Sequence, residues 1–440
     1  MNKSKKAGLL STLFMGLGQI LVNKEYIKGI IFSCIELIVL VNIKFFIKGI
    51  SGLISLGEVT GYTGKNIKLN DHSIFMLIDG IIVLIICLLF IIIYIINIRE
   101  AIHQGRKLDQ GLESPSFKLF IRSFWDRSFP YIMSTPAFVG ITFFVLLPIL
   151  FGMCIAFTNY SSPDHVPPGN LVDWVGLQNL FDMIRLPMWN NTFIGIFTWT
   201  FIWAIISTAS VFFGGLFVAL LINSSGIKYK KLWRTIYILP YAIPSLISLL
   251  IFRNMFNGQF GPINLTLKEI GFIDSYFGIV KNNIGWLSDP TTAKITIILV
   301  NFWLGFPYFM ALLTGIMTSI PHELYEAAEI DGANKFKKFK SITLPMVVIS
   351  TTPLIIMSFA ANFNNFNVIY FLTDGGPTGV YDPASGAGAT DILITWIYKL
   401  TYDNQNYNIA ALMSLLIFII IGTFSVYNFT RTKAFKDDEF

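Results

Sequence analysis

Residues 326–345 read "EAAEIDGANKFKKFKSITLP" and separate two apolar runs near residues 291–318 and 343–370. The stretch carries four lysines in a chain of which only 13% is charged, and it ends on Pro345, at the head of the second run. A simple connection between two membrane helices would need neither this length nor this pattern. We therefore expect a folded element in this loop.

The residues around this stretch predict a short helix. We place Ser319 near its start and Pro321 in its first turn. The helix should run to Ile330 and stop at Gly332, because glycine reaches the left-handed conformation without strain. At 3.6 residues per turn, one side carries Leu324, Ala327, Ala328 and Asp331. Small alanines and acidic residues on an accessible face are typical of a docking helix.

Composition places the whole chain in a membrane. Of its 440 residues, 54% are hydrophobic, and the mean hydropathy is +0.64; soluble domains carry about 25% charged residues. Eight apolar runs are long enough to span a bilayer, which takes about 20 residues. They lie near residues 29–48, 74–98, 131–158, 193–222, 233–255, 291–318, 343–370 and 408–429. The predicted fold class is an all-α polytopic membrane protein with about eight transmembrane helices.

Lysine and arginine collect in alternate connections between these spans. The basic residues are Lys3, Lys5, Lys6, Arg99, Arg106, Lys107, Lys118, Arg122, Arg127, Lys228, Lys230, Lys231, Arg234, Lys335, Lys337, Lys338, Lys340, Arg431, Lys433 and Lys436. The opposite segments, 159–192, 256–290 and 371–407, are poor in lysine and arginine. Because cytoplasmic loops carry an excess of these residues, we predict that both termini and the docking helix are cytoplasmic.

The sequence lacks the common catalytic patterns. It contains no GxxxxGK[ST] phosphate loop, and the nearest stretch, "GYTGKN" at 61–66, has the wrong spacing. It contains no HExxH, and Cys34, Cys87 and Cys154 fall singly in apolar spans, as small buried residues do. We expect no catalytic residue, no metal site and no ATP hydrolysis by this chain alone.

A further apolar stretch, residues 9–22, follows the basic N-terminus. It is too short to span a membrane and no cleavage site follows it, so a signal peptide is not expected. We predict an interfacial or partly re-entrant helix that leads into the first span.

The docking loop resembles a known motif. Its fixed positions are filled by Glu326, Ala327, Ala328, Gly332, Ile342, Leu344 and Pro345. Together they are similar to the EAA loop of permease subunits in binding-protein-dependent ABC importers. The resemblance implies that this loop, including Asp331, is a coupling helix that docks on a separate ATPase subunit. ATP and Mg²⁺ would then belong to that partner, and this chain would hold no cofactor.

Residues 126–430 resemble the MalF type of maltose permease and its Gram-positive maltodextrin counterparts. The resemblance is carried by "ILPYAIPSLISLLIFRNMFN" at 238–257, "NFWLGFPYFM" at 301–310, "SFAANFNNFNVIYFLTDGGPTG" at 358–379 and "ATDILITWIYKLT" at 389–401. It implies the type I permease fold of ABC importers, with a six-helix core at 126–440 that includes the coupling loop 319–345. Residues 1–125 would form an N-terminal region with two transmembrane helices and a cytoplasmic linker.

One loop departs from the Gram-negative pattern. The MalF of Gram-negative bacteria carries a large folded domain between its third and fourth spans, whereas this chain has only the short loop 159–192. The resemblance therefore implies a Gram-positive source, and a binding protein that docks without that domain.

Two polar faces lie within the predicted spans. On 343–370, a continuous helix would bring Ser358, Ala361, Asn362, Asn365 and Ile369 to one side and would point Asn364 and Asn367 elsewhere. On 291–318, Leu304, Gly305 and Tyr308 share a face. Asparagine is costly against lipid, so these faces should line a cavity, although such residues also hold membrane helices together.

The resemblance adds a role for these faces. In maltose-type permeases the matching positions line the transmembrane sugar site, and here they are Leu304, Gly305, Tyr308, Ser358, Asn362 and Asn365. Ala361 stands where the maltose permease has an aromatic residue, so the floor of the site should be wider or the stacking weaker. Sugar hydroxyls need amide partners, and the C–H faces of sugars stack on aromatic rings.

We therefore expect a multi-pass permease subunit in the cytoplasmic membrane that imports maltose or maltodextrin by alternating access. The resemblance implies a second, MalG-type permease, an ATPase dimer and an extracellular sugar-binding protein as partners, with membrane lipid around them and no nucleic acid. Another oligosaccharide, such as a galacto-oligosaccharide or a raffinose-type sugar, remains an alternative. A secondary transporter would leave the EAA loop unexplained, and a membrane glycosyltransferase would need a cluster of catalytic acids.

The charge asymmetry yields a prediction about topology. In a variant without the native cysteines, a cysteine at Ser161 should react with an impermeant thiol reagent from outside intact cells. A cysteine at Lys337 should react only after the cells are permeabilised, because basic loops stay in the cytoplasm. The reversed labelling pattern would contradict the predicted orientation.

Overall fold

The structure is a computed structural model of the chain that describes residues 2–58, 71–112, 117–166, 170–224, 226–273 and 282–431. The chain divides into two compact units, residues 1–176 and 177–440. The sequence placed a boundary between residues 125 and 126 because the permease core was expected to begin there. The two compact units are defined by contacts within the chain and do not test a functional boundary. The predicted domain limits therefore stay a prediction.

The first unit is built from seven described helices. They are α1 (Lys3–Leu13), α2 (Leu17–Leu21), α3 (Tyr26–Val41), α4 (Ile43–Ser55), α5 (Ser73–Asp109), α6 (Phe117–Ile141) and α7 (Leu147–Ile155), with a π-helical turn at Thr142–Leu146 between the last two. Helix α1 packs along α5. The backbone N–H groups of Lys3 and Ser4 donate to the Asp109 carboxylate at 2.8 and 3.1 Å, so the end of α5 caps the start of α1.

The stretch at residues 9–22 forms the end of α1 and all of α2. Gly16, at φ +85°, turns the chain between these helices. The buried Gln19 side chain donates to Asn97 of α5 at 2.9 Å, and Ser11 donates to Gln19 at 2.9 Å. These contacts hold the two short helices against α5. Their depth in the membrane stays a prediction.

The second unit holds the remaining helices of the described chain. They are α8 (Gln178–Arg185), α9 (Pro187–Asn223), α10 (Lys230–Ala242), α11 (Ser245–Met255), α12 (Pro262–Glu269), α13 (Pro290–Ser319), α14 (His322–Ile330), α15 (Lys335–Lys338), α16 (Leu344–Phe363), α17 (Phe366–Thr373), α18 (Leu393–Tyr402) and α19 (Tyr407–Arg431). A π-helical turn, Phe339–Thr343, joins α15 to α16. The all-α prediction is confirmed.

The described part of the chain has six helical segments long and apolar enough to cross a membrane, and eight if each of two bent pairs counts as one span. This upper number agrees with the eight predicted spans. The bends were not predicted: α3 and α4 meet at 57°, and α10 and α11 meet at 86°. Pro244 explains the second bend, because proline cannot donate the helical hydrogen bond. The stretch at 61–66 and the predicted basic residues Lys433 and Lys436 lie outside the described residues.

Two apolar clusters lie along α9 and α13 in the described part of the second unit. The α17 cluster consists of Trp199, Trp203, Leu249, Ile297, Val300, Val368, Ile369, Leu372 and Ile392. The α16 cluster consists of Val211, Phe212, Leu216, Ala219, Ile222, Phe309, Met310, Leu313 and Val347. Gly215 allows the close approach of α9 to α13, because a Cβ at this position would lie 2.8 Å from the backbone nitrogen of Met310.

A buried ion pair organises the segment that follows α17. Lys399 Nζ lies 2.8 Å from Asp391 Oδ2, and the Asp391 side chain is fully buried. The N–H of Gly388 donates to the same oxygen at 2.7 Å. Gly375, at φ +71°, passes so close that a Cβ there would overlap the carboxylate. The pair therefore fixes the turn after α17.

The ion pair yields a prediction about stability. Lys399→Met leaves a buried carboxylate unpaired and should cost about 3–5 kcal/mol. We expect a lower midpoint of thermal unfolding for the purified protein. The double variant Asp391→Asn/Lys399→Met should recover most of the loss, because no charge then stays buried. A single Lys399→Met variant as stable as the wild type would show that the pair contributes little.

Candidate functional site

A cavity of about 390 Å³ opens in the second unit where α16 ends and α17 begins. The α16 cluster borders it through Val211 and Phe309, and the first residues of α17, Phe366 and Asn367, complete the wall. The lining residues are Val211, Asn301, Gly305, Tyr308, Phe309, Ser358, Ala361, Asn362, Asn364, Asn365, Phe366 and Asn367. Five of the six residues predicted for substrate binding belong to this set.

The helix break decides which side chains reach the cavity. Helix α16 ends at Phe363, and Asn365 caps α17 by accepting from the N–H of Val368 at 3.4 Å. The prediction treated this stretch as one continuous helix, so it was wrong beyond Phe363. Asn364 and Asn367 line the cavity, contrary to the prediction, because the break changes their direction. Ile369 is buried in the α17 cluster instead of facing the cavity.

Three asparagines from two helices and the break form a hydrogen-bonded network in the wall. Asn301 Nδ2 donates to Asn362 Oδ1 at 3.4 Å, and Asn365 Nδ2 donates to Asn301 Oδ1 at 3.3 Å. Asn362 Nδ2 also donates to Thr208 Oγ1 of α9 at 3.1 Å, and Trp203 donates to the Asn362 carbonyl at 2.9 Å. Asn362 is therefore buried and fully engaged, whereas Asn365 is partly exposed to the cavity.

The face of α13 contributes a small residue and a ring. A Cβ at Gly305 would lie 2.7 Å from Val211 Cγ1, so glycine keeps α9 and α13 close here. The Tyr308 side chain is 41% exposed, and its ring lies 6.2 Å from that of Tyr241. Leu304 does not reach the cavity and packs partly buried against the α17 cluster. Two of the three residues predicted on this face, Gly305 and Tyr308, therefore line the cavity.

The chemistry of this wall is polar but uncharged. None of the twelve described residues that line the cavity carries a charge. Five of them are asparagines: Asn301, Asn362, Asn364, Asn365 and Asn367. Amide groups both donate and accept hydrogen bonds, and aromatic rings offer flat apolar faces. Ala361 is exposed and forms part of the wall. The cavity is suited to a neutral molecule with many hydroxyl groups.

Sequence reasoning missed several lining residues. Asn301 lies four and seven residues before Gly305 and Tyr308, so the helical period could have placed it on their face. Val211 and Phe309 carry no such signal, because apolar residues in a membrane helix are more often packed or exposed to lipid. Phe366 could be assigned only once the break before it was known.

The predicted docking loop is observed as a separate short helix. Helix α14 begins at His322, so Ser319 ends α13 and does not start the docking helix. Gly332 has φ +74°, as the sequence predicted for the stop. The N–H of Ala333 donates to the Ala328 carbonyl at 2.8 Å, which closes the helix end.

The loop presents most of its predicted coupling residues at the surface. Glu326, Ala327, Asp331 and Gly332 are exposed, as is Pro345, whereas Ala328, Ile342 and Leu344 are partly buried. Large apolar side chains are exposed beside them: Leu324 at 43%, Ile330 at 88% and Phe336 at 70%. Such a surface is typical of a contact with another protein.

Two side-chain contacts give the loop its shape. The Tyr325 hydroxyl lies 2.9 Å from Thr343 Oγ1, which ties α14 to the π-helical turn before α16. Lys338 forms an ion pair with Glu329, and this hydrogen bond lowers the pKa of the Glu329 carboxyl. These contacts tie α14 to the segment that leads into α16.

Comparisons with known proteins agree with this geometry. Residues 211–433 match the family model described as binding-protein-dependent transport system inner membrane component. The galactooligosaccharides transport system permease protein GanP of Bacillus subtilis is 36% identical over 99% of both chains. The maltodextrin transport system permease protein MdxF of the same organism is 38% identical over 99% of this chain and 98% of that protein.

A solved structure is similar at the level of the fold. It is a chain of a bacterial ABC transporter involved in the import of the acidic polysaccharide alginate, with a TM-score of 0.57 and 21% identity over 71% of this chain and 98% of that one. The match to the family model and the two full-length relatives together establish the family. The chain belongs to the inner membrane components of binding-protein-dependent transport systems.

Proposed function

We propose that this chain is the permease subunit of an ABC importer for a neutral oligosaccharide, with maltose or maltodextrin as its substrate. The observation that carries the proposal is the uncharged cavity, lined by amides and aromatic rings, at the break between α16 and α17. Such a wall matches hydroxyl groups and sugar faces, whereas an acidic sugar would need a basic partner. The relationship to MdxF supports maltodextrin as the substrate.

The wall assigns different roles to its residues. Asn365 would bind sugar hydroxyls, because its amide is partly exposed to the cavity, whereas the buried Asn301 and Asn362 would hold it in position. Tyr308 would offer a ring face and a hydroxyl, and Ser358 a second hydroxyl. Gly305 would leave room for the sugar, whereas Leu304 would support the wall from behind.

The docking loop would couple this cavity to ATP. Its exposed apolar residues and its carboxylates would contact one subunit of an ATPase dimer, which would hold ATP and Mg²⁺. Closure of that dimer would move α14, and the Tyr325 contact would pass the motion to α16 and so to the cavity wall. The cavity would then open alternately to each side, and no bond in the sugar would break.

The remaining partners follow from the same proposal. A second, MalG-type permease would complete the pathway, and an extracellular binding protein would deliver the sugar. Both termini would be cytoplasmic and the source would be Gram-positive, in agreement with the basic loops and the short segment 159–192. The chain itself would bind no nucleic acid and hydrolyse no ATP.

A galacto-oligosaccharide is the second candidate substrate. GanP is related to this chain over its full length, at 36% identity against 38% for MdxF. The uncharged wall is compatible with either sugar, because both present hydroxyls and apolar ring faces. Uptake of maltodextrins and galacto-oligosaccharides by the reconstituted importer would distinguish them.

The coupling role yields a prediction at Gly332. A valine at φ +74° is strained by about 1–3 kcal/mol, whereas asparagine tolerates this region. Gly332→Val should therefore lose most sugar uptake and sugar-stimulated ATP hydrolysis, and Gly332→Asn should retain them. Both activities are measured in proteoliposomes with the partner subunits. Normal uptake by an assembled Gly332→Val complex would remove the loop from the coupling mechanism.

The cavity yields a prediction about transport. Asn365→Ala and Tyr308→Ala should each reduce uptake, because a lost hydrogen bond of this kind costs about 1–3 kcal/mol when its partner stays unpaired. Asn254→Ala is the matched control, since this exposed amide only donates to Leu250 within its own helix. Initial uptake rates of maltodextrins and galacto-oligosaccharides provide the measurement. Unchanged rates and sugar preference for Asn365→Ala would argue against the site.

A further inference from the structure

Four aromatic side chains form a column along α17 and α18. The rings of Phe366 and Tyr370 stack at 4.8 Å, one helical turn apart. Tyr370 meets Tyr398 of α18 edge to face at 5.1 Å, and Tyr398 stacks on Tyr402 at 4.9 Å. We call this set, Phe366, Tyr370, Tyr398 and Tyr402, the aromatic column.

The column starts in the cavity and ends at the surface. Phe366 is part of the cavity lining. Tyr370 and Tyr398 are partly exposed, and the Tyr402 side chain is 70% exposed. Helix α17 follows α16 within one membrane-spanning segment, Lys335–Thr373, so Tyr370 lies farther along this segment from the docking loop than Phe366.

The column is distinct from the apolar core. The other side of α17 contributes Val368, Ile369 and Leu372 to the α17 cluster, where all three are buried. The packing of α17 therefore does not depend on the exposed faces of Phe366 and Tyr370. Aromatic rings that remain partly open beside a cavity are available to a ligand.

Polar groups accompany the rings. The hydroxyls of Tyr370 and Tyr398 belong to neighbouring rings, and Asp374 and Asp403 lie at the C-terminal ends of α17 and α18. Both aspartates are exposed. Flat rings with hydroxyl and carboxylate groups beside them match the apolar faces and the hydroxyls of a sugar chain.

We propose that the aromatic column is an extension of the sugar cavity that binds the outer units of a longer oligosaccharide. The proposal rests on the proposed function and deepens it, since it assigns chain-length preference to α17 and α18. A short sugar would occupy the cavity alone. A longer one would also contact the column, beginning at Phe366.

Two other occupants would use the same rings. A helix of the partner permease could pack on the column, or lipid could cover it. Neither occupant depends on the length of the transported sugar. Chain length is therefore the variable that separates a sugar subsite from a structural contact.

The test uses Tyr370→Leu and Tyr398→Leu in the assembled importer, with its binding protein and ATPase in proteoliposomes. At saturating binding protein, initial uptake rates are measured for maltose and maltopentaose, and for a galactose disaccharide and the matching pentasaccharide. The uptake ratio is the rate for the pentasaccharide divided by the rate for the disaccharide. Loss of one stacking contact should reduce uptake of the pentasaccharide about three- to ten-fold more than uptake of the disaccharide. Tyr398→Phe keeps the ring and should keep the wild-type ratio.

Tyr131→Leu is the control, because Tyr131 is 74% exposed on α6 and belongs to the first unit. Its uptake ratio should equal that of the wild type. Equal losses for both chain lengths, with or without reduced assembly of the complex, would show a structural or lipid contact and overturn the proposal. An unchanged ratio in both leucine variants would overturn it as well. Failure of the wild-type importer to transport either sugar series would instead contradict the proposed function itself.

Discussion

The interruption of the helix between Phe363 and Phe366 is the constraint on which the rest of the second unit depends. A break inside a membrane-spanning segment frees backbone groups that lipid cannot satisfy, so they must be paired within the protein or face a cavity. Asn365 caps the helix that follows, and Trp203 donates to the freed carbonyl of Asn362. Asn365, which caps the helix after the break, is thus also part of the polar cavity wall.

Helix α16 joins this break to the docking loop. At its other end the π-helical turn, Phe339–Thr343, contacts α14 through the hydrogen bond between Tyr325 and Thr343. Along its length α16 packs on α9, which also carries Thr208 of the asparagine network. Helix α16 therefore connects the exposed docking loop with the cavity wall, as the proposed coupling requires.

Much of this organisation could be predicted from the sequence, because long apolar runs and a glycine stop are local signals. The eight spans and the left-handed Gly332 belong to this class. The bend before Ser245 and the helix break after Phe363 could not be predicted in this way, since hydropathy does not report where a helix is interrupted. The assignment of Asn364 failed for that reason, and Leu304 was misplaced because a shared helical face does not reveal which neighbour packs against it.

The central claim is that the asparagines at the break bind the transported sugar. The most direct measurement is a cryo-electron microscopy map of the assembled importer, trapped with maltotriose and its binding protein. We predict sugar density in the cavity, with a hydroxyl within hydrogen-bonding distance of Asn365 and a ring face against Tyr308. Well-resolved sugar density elsewhere in the pathway, with the cavity filled by side chains or lipid, would contradict the account.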